Sequence, residues 1–308
     1  MRAFVFPGQG AQVIGMGREL AEAYPAARAV FAEVDEALGE NLSELIWTGD
    51  IETLTLTQNA QPALMATSLA AFRALEAEEF GIHDADYVAG HSLGEYSALC
   101  AAGALSLSDT ARLLRLRGQA MQEAVPVGQG AMAAILGLDF ATVDQIARDA
   151  ADDEVCQAAN DNDPAQVVIS GHKAAVERAA VLAKERGAKR ALMLPVSAPF
   201  HSALMQPAAA AMAEALAGVE IVAPEVPLIA NVRAEPVTEP GAIRRLLVEQ
   251  VTGAVRWRES IEFLAGAGVT EFWEIGAGKA VSGMIKRISK DAVGKNVGAP
   301  ADIAALKG

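Results

Sequence analysis

A five-residue stretch, 90–94, contains the residue types of a nucleophilic enzyme. It reads Gly-His-Ser-Leu-Gly, so Ser92 stands two residues from a glycine on each side. An apolar run precedes it and an Ala- and Leu-rich run follows, which is typical of a nucleophile elbow, the sharp turn that lifts a serine hydroxyl above a sheet. A Cβ at Gly90 or Gly94 would collide with the neighbouring strand or helix. The alternative is an ordinary turn in which Ser92 caps the helix.

A serine hydroxyl is a weak nucleophile and needs a base, and the chain has four histidines. His201 lies in a proline-bearing turn between a predicted strand and a predicted helix, where loops often carry catalytic groups, and it is the candidate base. His83 is predicted at the surface and His172 near a helix start. His91 adjoins Ser92, so its side chain points away from the hydroxyl, yet it could line the same pocket. No Asp or Glu is identified as a third member, and a backbone or amide oxygen could hold the ring instead.

Arg117 interrupts the apolar side of a helix predicted from a Ser108 cap to about Ala124. Arg112 and Arg115 project elsewhere on this helix and are expected to be solvated. A buried arginine needs an anion, which is either a core carboxylate or the carboxylate of a substrate held by the planar guanidinium. The apolar residues that form one stripe around Arg117 at about 100° per residue are Leu113, Leu114, Leu116, Ala120, Met121 and Ala124.

Composition limits the classes of function. The 308 residues suffice for one large domain or two modest ones, and 52% of them are hydrophobic, as in globular proteins. The net charge of −14 argues against nonspecific nucleic-acid binding, which needs clustered Lys and Arg. Two cysteines, Cys100 and Cys156, give no disulfide framework, and we find neither a signal peptide nor an apolar run of membrane-spanning length. We therefore expect a cytoplasmic protein that does not enter membranes.

Strands that alternate with helices predict an α/β protein with a parallel sheet covered on both faces. The glycines at 8 and 10 do not form a dinucleotide-binding turn, because Val13 stands where the third glycine would be needed. In the larger part of the chain, strands are predicted at 3–6, 87–89, 226–231 and 271–275, and helices at 24–38, 57–80, 108–124, 204–216, 242–251, 255–267 and 281–289.

A smaller unit interrupts this pattern after the Pro- and Gly-bearing stretch 126–130. Its order of elements, β-α-β-β-α-β, is the ferredoxin-like arrangement. We therefore predict a ferredoxin-like small domain at 128–197, inserted into a large hydrolase-like α/β domain made of 1–127 and 198–308. The predicted elements of the small domain are strands at 131–136, 155–159, 166–170 and 190–196 and helices at 140–151 and 173–187.

Taken together, these motifs resemble those of the malonyl-CoA:acyl carrier protein transacylases, acyltransferases of fatty acid and polyketide synthesis. The resemblance covers essentially the whole chain in order and is far more specific than Gly-x-Ser-x-Gly alone. The segments that carry it are residues 8–12 (GQGAQ), residues 90–99 (GHSLGEYSAL), Arg117, residues 166–171 (QVVISG) and residues 200–202 (FHS).

The resemblance implies a role for each residue of the catalytic centre. Ser92 would accept the acyl group and His201 would act as its base. The backbone carbonyl of Gln250 would orient the imidazole in place of an aspartate. The backbone N–H groups of Gln9 and Leu93 would form the oxyanion hole.

The resemblance also implies how the acyl group is selected. Arg117 would bind the free carboxylate of the malonyl group, and Phe200 matches malonyl-selective relatives, whereas methylmalonyl-selective relatives tend to have serine there. Two departures from the family are Ala277, where many relatives have proline, and the unusually acidic stretch 160–164. The remaining residues expected to line the substrate site are His91, Asn160, Asn162 and Gln166.

The implied reaction is a ping-pong transfer of malonyl from malonyl-CoA to the pantetheine thiol of acyl carrier protein, in fatty acid biosynthesis. Coenzyme A thioester is then a substrate, no cofactor is expected, and a monomer is expected. Because carrier proteins of this kind are acidic, two basic pairs are candidates for docking, with ordinary solvated charge as the alternative. A serine hydrolase and a carrier-binding module with a dead site are the other functions that fit the elbow. The candidate docking residues are Lys189, Arg190, Lys286 and Arg287, with Lys279 near them.

Overall fold

The computed structural model describes residues 1–196 and 198–307. The strands are β1 (Arg2–Phe6), β2 (Tyr87–Gly90), β3 (Gly130–Leu136), β4 (Cys156–Asp163), β5 (Gln166–His172), β6 (Arg190–Met193), β7 (Leu228–Ala230), β8 (Glu235–Val237), β9 (Glu271–Ile275) and β10 (Val293–Val297). The first seven helices are α1 (Arg18–Ala23), α2 (Pro25–Leu38), α3 (Leu42–Thr48), α4 (Ile51–Thr55), α5 (Thr57–Glu76), α6 (Gly94–Ala101) and α7 (Leu107–Glu123). The others are α8 (Phe140–Ala151), α9 (Lys173–Glu185), α10 (Gln206–Ala217), α11 (Pro240–Thr252), α12 (Trp257–Gly266), α13 (Ala280–Ile288) and α14 (Pro300–Leu306). Single turns of 3-10 helix lie at Ile82–Asp84 and Ala203–Met205.

The larger sheet has six strands in the order β10-β9-β1-β2-β7-β8. All neighbouring strands are parallel except β8, which runs antiparallel to β7 at one edge. Central strand β1 is buried from residue 3 onward because helices cover both faces of the sheet. The predicted parallel sheet is therefore confirmed.

The smaller sheet has four antiparallel strands in the order β4-β5-β3-β6, and α8 and α9 cover one of its faces. This is the ferredoxin-like topology, and with the larger sheet it confirms the predicted fold class. Its elements extend from Gly130 to Met193, inside the range 128–197. The domain limits themselves stay a prediction, and Ser197 and Gly308, on which two of them fall, lie outside the described residues.

Several elements differ from their predicted limits. Helix α7 is capped by Ser106, whose Oγ accepts a hydrogen bond from Asp109 N at 3.1 Å, and not by Ser108, whose hydroxyl bonds Glu33. Strand β4 continues to Asp163 and β6 ends at Met193. The helix predicted at 57–80 ends at Glu76. Elements without a clear apolar period in the sequence were not predicted, namely α1, α3, α4, α14, β8 and β10.

The acidic stretch in β4 ties the small sheet to the helices beside the large one. Asp161 lies 2.9 Å from Arg258 on α12, and Asp163 lies 2.7 Å from Arg287 on α13. The backbone adds a hydrogen bond from Asp161 N to Val255 O at 2.9 Å. Because side chains alternate along a strand, Asn160 and Asn162 lie on the opposite face of β4 from the two aspartates.

The elbow between β2 and α6 has no room for side chains at its glycines. A Cβ at Gly90 would lie 1.9 Å from the carbonyl carbon of Gly94, and a Cβ at Gly94 would lie 2.5 Å from Phe6 O in β1. Ser92 between them has a positive φ of 53°, which a non-glycine residue adopts only when the surrounding structure holds it there. The predicted steric role of the two glycines is confirmed.

Among the described residues, no helix has both the length and the apolar content that crossing a bilayer requires.

We expect Gly90→Ala to destabilise the fold by at least the roughly 1–3 kcal/mol that overpacking costs, because its Cβ meets rigid backbone. Urea unfolding monitored by circular dichroism measures this change. The matched control is Gly266→Ala at the end of α12, where a Cβ meets nothing within 4 Å. Equal urea midpoints for the two variants would contradict this expectation and show that the elbow accommodates a Cβ at position 90.

Candidate active site

The structure brings the predicted nucleophile and base into contact. Ser92 Oγ lies 2.8 Å from His201 Nε2, although the two residues are 109 positions apart in the sequence. His201 Nδ1 lies 2.8 Å from the backbone carbonyl oxygen of Gln250. Because a carbonyl oxygen only accepts hydrogen bonds, Nδ1 carries the proton and Nε2 is left to accept the proton of Ser92.

The third position of this arrangement is a helix carbonyl. Gln250 lies in the last turn of α11, where carbonyl groups have no intrahelical N–H partner. In residues 1–196 and 198–307, no carboxylate forms a hydrogen bond with the His201 ring. The ring is therefore oriented by a neutral group, one of the possibilities that the sequence left open.

The environment keeps His201 in its neutral, basic form. Its side chain is almost completely buried, and it lies near the positive charge of Arg117. Burial first, and that charge second, lower the pKa of His201 to about 3. The imidazole is therefore able to accept a proton at any pH well above this value.

The two residues predicted to form the oxyanion hole, Gln9 and Leu93, both line the cleft that contains Ser92. Leu93 follows the nucleophile directly and precedes α6, so its N–H is at the positive end of the helix dipole. Gln9 follows β1 and lines the same cleft as Leu93. Within the part of the chain that the structure describes, neither N–H donates a hydrogen bond. Both amides are available, as an oxyanion hole requires.

Ser92 and His201 line a cleft of about 690 Å³ to which both the large and the small sheet contribute residues. The small sheet contributes Met132, Ala134 and Val168 from its helix-free face. All of the residues predicted to line the substrate site lie in this cleft, namely His91, Arg117, Asn160, Asn162, Gln166 and Phe200. The Nε2 atom of His91 hydrogen-bonds Asn162 Oδ1 at 2.8 Å and so links the elbow to β4.

Arg117 is buried beside the nucleophile, with 1% of its surface exposed. Its Nη2 donates to Ser92 Oγ at 3.2 Å and to Gln250 Oε1 at 2.8 Å, and its Nη1 donates to Gln61 Oε1 at 2.7 Å. Its Nε is buried without a partner, and among the described residues no carboxylate forms an ion pair with it. No carboxylate among the described residues therefore contacts the guanidinium directly, although the charge of Glu95 acts on it across the Gln250 amide. The guanidinium retains donor capacity for an anion in the cleft.

The sequence predicted a solvated Arg115, but the side chain is mostly buried. Its side chain is 13% exposed and donates to Gln58 O and Asn59 Oδ1, both at 2.5 Å, and to Glu40. The cause is Pro62, which has no N–H to bond the carbonyl of Gln58 four residues earlier in α5. Arg112 is exposed, as expected.

The two basic pairs do not form one patch. Lys189 and Arg190 lie at the start of β6, whereas Lys286 and Arg287 lie near the end of α13, which contacts β4. Strands β6 and β4 are the opposite edges of the small sheet, roughly 14 Å apart at about 4.8 Å per strand spacing.

The register of the small sheet nevertheless places the part of the cleft at Gln166 between the two basic pairs. Arg190 pairs with Leu136, Leu136 pairs with Gln166 in the cleft, and Gln166 pairs with Asp163. Asp163 in turn binds Arg287, so Arg287 is not a free cation as the docking prediction assumed.

The sequence analysis missed three buried polar residues around the dyad. Gln61 binds Arg117, and Asn231 Oδ1 accepts from Ser92 N at 2.9 Å. Glu95 accepts from the side-chain amide of Gln250 at 2.8 Å. Only Glu95 carried a signal, since a charged residue directly after the elbow glycine stands at the start of an otherwise apolar helix.

Three comparisons with known proteins agree with this geometry. Residues 3–296 match the acyl transferase domain family. The malonyl CoA-acyl carrier protein transacylase of Bacillus subtilis is 52% identical over 289 residues, which are 94% of this chain and 90% of that protein. The crystal structure of an acyl-carrier-protein-S-malonyltransferase from Bartonella henselae is 56% identical with a TM-score of 0.97, covering 99% of this chain and 98% of that one.

A further solved structure contains a type II PKS acyl-carrier protein in complex with its malonyl-transacylase. It matches this chain with a TM-score of 0.96 and 43% identity, over 99% of this chain and 98% of that chain.

We expect Ser92 to react with a neutral reagent, phenylmethylsulfonyl fluoride, at a rate that stays constant as the pH falls from 8 to about 5. The lowered pKa of His201 keeps the base neutral across this range. Stopped-time samples analysed by intact mass give the rate, and Ser92→Ala is the control for labelling elsewhere. A decline centred at the ordinary histidine pKa of about 6.5 would contradict the expectation.

Proposed function

The chain belongs to the acyl transferase family, and on that premise we propose that it transfers malonyl groups from malonyl-CoA to the pantetheine thiol of acyl carrier protein. The observation that carries the proposal is the position of Arg117. A buried guanidinium without a carboxylate partner lies 3.2 Å from the nucleophile in the same cleft. A negatively charged acyl group satisfies it, and an uncharged one does not. The product supplies fatty acid biosynthesis.

In the first half of the proposed reaction, His201 Nε2 takes the proton of Ser92 as Oγ attacks the thioester carbonyl. The negative charge on the carbonyl oxygen is stabilised by the N–H groups of Leu93 and Gln9, each of which contributes about 3 kcal/mol in comparable enzymes. The carbon–sulfur bond then breaks, and His201 returns its proton to the leaving sulfur of coenzyme A. Ser92 is left as a malonyl ester.

In the second half, the pantetheine thiol of the carrier protein enters the cleft vacated by coenzyme A. His201 accepts the thiol proton, and the sulfur attacks the malonyl ester through a second oxyanion at the same two amides. The carbon–oxygen bond breaks, and Ser92 Oγ recovers the proton from His201. The proposed mechanism is thus ping-pong, coenzyme A thioester is a substrate, and no cofactor takes part.

The malonyl carboxylate is proposed to lie against the guanidinium of Arg117. This guanidinium is held by two amide oxygens, from Gln61 and Gln250, so it is fixed in place before the substrate arrives. Fixed donors lose little conformational entropy on binding, which favours affinity. Phe200 lines the same cleft and limits the space beside the acyl group.

The carrier protein is proposed to approach at the Gln166 side of the cleft. Lys189 and Arg190 stand at one edge of the small sheet and Lys286 near the other. Cations here give an acidic partner a local basic surface on a chain whose net charge is −14. Arg287 contributes less, since Asp163 already neutralises it.

The test of this function is intact-mass measurement after mixing with malonyl-CoA. We expect one malonyl adduct on Ser92, absent in Ser92→Ala, that disappears much faster with holo acyl carrier protein than in buffer. A malonyl ester that water removes at the same rate with or without the carrier would identify a hydrolase. No adduct at all would identify a noncatalytic binding protein.

We expect Arg117→Ala to lower malonylation of Ser92 by roughly a hundredfold, because losing charge-assisted hydrogen bonds costs about 3 kcal/mol. Acetylation from acetyl-CoA should rise, since an uncharged acyl group no longer shares the pocket with a buried cation. Adduct formation rates for the two thioesters give the comparison, and Arg112→Ala, exposed on the same helix, is the control. An equal loss for both thioesters would assign Arg117 to the fold alone.

A further inference from the structure

Glu95 is a buried carboxylate that the proposed mechanism does not use. It lies in the first turn of α6, three residues after the nucleophile, and 1% of its surface is exposed. Within the described residues it forms no ion pair. Its Oε2 accepts hydrogen bonds from Gln250 Nε2 at 2.8 Å and from Asn231 N at 3.2 Å. Burying a carboxylate with only neutral donors is costly, so its presence calls for a function.

The side-chain amide of Gln250 stands between Glu95 and Arg117. Its Nε2 donates to the carboxylate, and its Oε1 accepts from Arg117 Nη2 at 2.8 Å. A carboxylate only accepts hydrogen bonds and a guanidinium only donates them. Turning the amide over would set its NH2 against the guanidinium and its oxygen against the carboxylate. The two charged groups therefore allow one amide orientation.

We propose that Glu95 is a positioning residue, which acts through the amide of Gln250 to hold Arg117 in the orientation that receives the acyl carboxylate. The inference rests on the proposed function, because it assigns Glu95 to the selection of a charged acyl group. Gln250 Nε2 also donates to Ser92 O at 2.9 Å and to Asn231 Oδ1 at 3.2 Å, so the 2.8 Å bond to Glu95 is the shortest of three. Without the carboxylate, the Gln250 amide is held less firmly, and its bond to Arg117 weakens.

The nucleophile has supports in addition to its links to Glu95 through Asn231 and Gln250. Asn231 Nδ2 donates to Gly90 O at 2.7 Å, and its Oδ1 accepts from Ser92 N. The His201 ring is held by the main-chain carbonyl of Gln250, not by its side chain. Loss of the Glu95 carboxylate removes one contact of Asn231 but keeps the bonds of Asn231 to the elbow and the carbonyl that holds His201. The larger effect is therefore expected on the Arg117 side of the site.

Glu95 supplies Gln250 Nε2 with an acceptor oxygen in either protonation state. Burial raises the pKa of Glu95 to about 7, against the opposing effects of Gln250, Asn231 and the Arg117 charge. His201, which also faces this region, stays neutral because its pKa is lowered. A protonated carboxyl group and a glutamine amide both keep an oxygen that Gln250 Nε2 can reach.

The experiment compares Glu95→Ala with Glu95→Gln. The readout is the ratio of Ser92 acylation rates with malonyl-CoA and acetyl-CoA, measured by intact mass. We expect Glu95→Ala to lower this ratio roughly tenfold, the value of about one hydrogen bond, and Glu95→Gln to restore most of it.

The matched controls are Glu274→Ala and Glu274→Gln. Glu274 is another fully buried carboxylate, which accepts from Val281 N and Ser282 N at the start of α13 and does not line the cleft. Both of its variants should lower the melting temperature without changing the ratio.

Three results would overturn the inference: an unchanged ratio in Glu95→Ala, an equal loss with both thioesters, or no recovery in Glu95→Gln. Should Glu95→Ala fail to fold, Gln250→Met keeps the carbonyl that holds His201 but removes the amide and with it the bonds to Arg117 and Ser92 O. Rates should then fall with both thioesters, and the ratio should fall at least as far as in Glu95→Ala. An unchanged ratio there would also overturn the inference. Failure of the proposed function appears separately, as a wild-type protein that forms no malonyl adduct.

Discussion

The site depends on a buried guanidinium that is held by neutral groups. Arg117 lies in the core beside the nucleophile and receives oxygens from two glutamines and one serine, and no carboxylate pairs with it among the described residues. A cation in such a place is stabilised only in part, because amide oxygens offset less of its desolvation than a carboxylate does. Glu95 attracts the guanidinium across the Gln250 amide without touching it, so Arg117 keeps donor capacity for an anion in the cleft. The same charge lowers the pKa of His201 and so helps to keep the base neutral.

Different parts of the chain must meet for this arrangement to form. Ser92 comes from the turn between β2 and α6, His201 from the segment that follows the small sheet, and Gln250 from the end of α11. Gln250 joins two functions, because its main-chain carbonyl holds the imidazole and its side-chain amide holds the guanidinium. In the proposed mechanism, catalysis and acyl selection are thus coupled through one residue, whose position is fixed by the last turn of a helix.

Local patterns in the sequence predicted the fold class and several site residues. They did not predict contacts that depend on residues of distant helices. The elbow, the apolar stripe around Arg117 and the β-α-β-β-α-β order depend on spacing alone, and they predicted the fold class and the burial of Arg117. The choice of His201 as the partner of Ser92 came from its proline-bearing turn and from the family resemblance. The fate of Arg115 could not be predicted, because it depends on a carbonyl that Pro62 leaves without a partner on another helix. The amide bridge from Glu95 to Arg117 joins three separate helices, α6, α11 and α7, so no spacing in the chain reveals it. The role of each site residue remains a prediction.

The ties from Asp161 and Asp163 to arginines of the large part of the molecule have a consequence for the behaviour of the cleft in electrolyte. The Asp161–Arg258 pair is mostly buried, so dissolved ions screen it weakly, whereas they screen the half-exposed Arg287 of the other pair and the exposed Lys286 more strongly. Raising the ionic strength is therefore expected to weaken the proposed binding of an acidic carrier protein near Lys286 before it weakens the Asp161–Arg258 pair between β4 and α12. The spacing between the two sheets therefore depends on buried contacts, whereas the proposed binding of a carrier protein depends on the salt concentration of the solution.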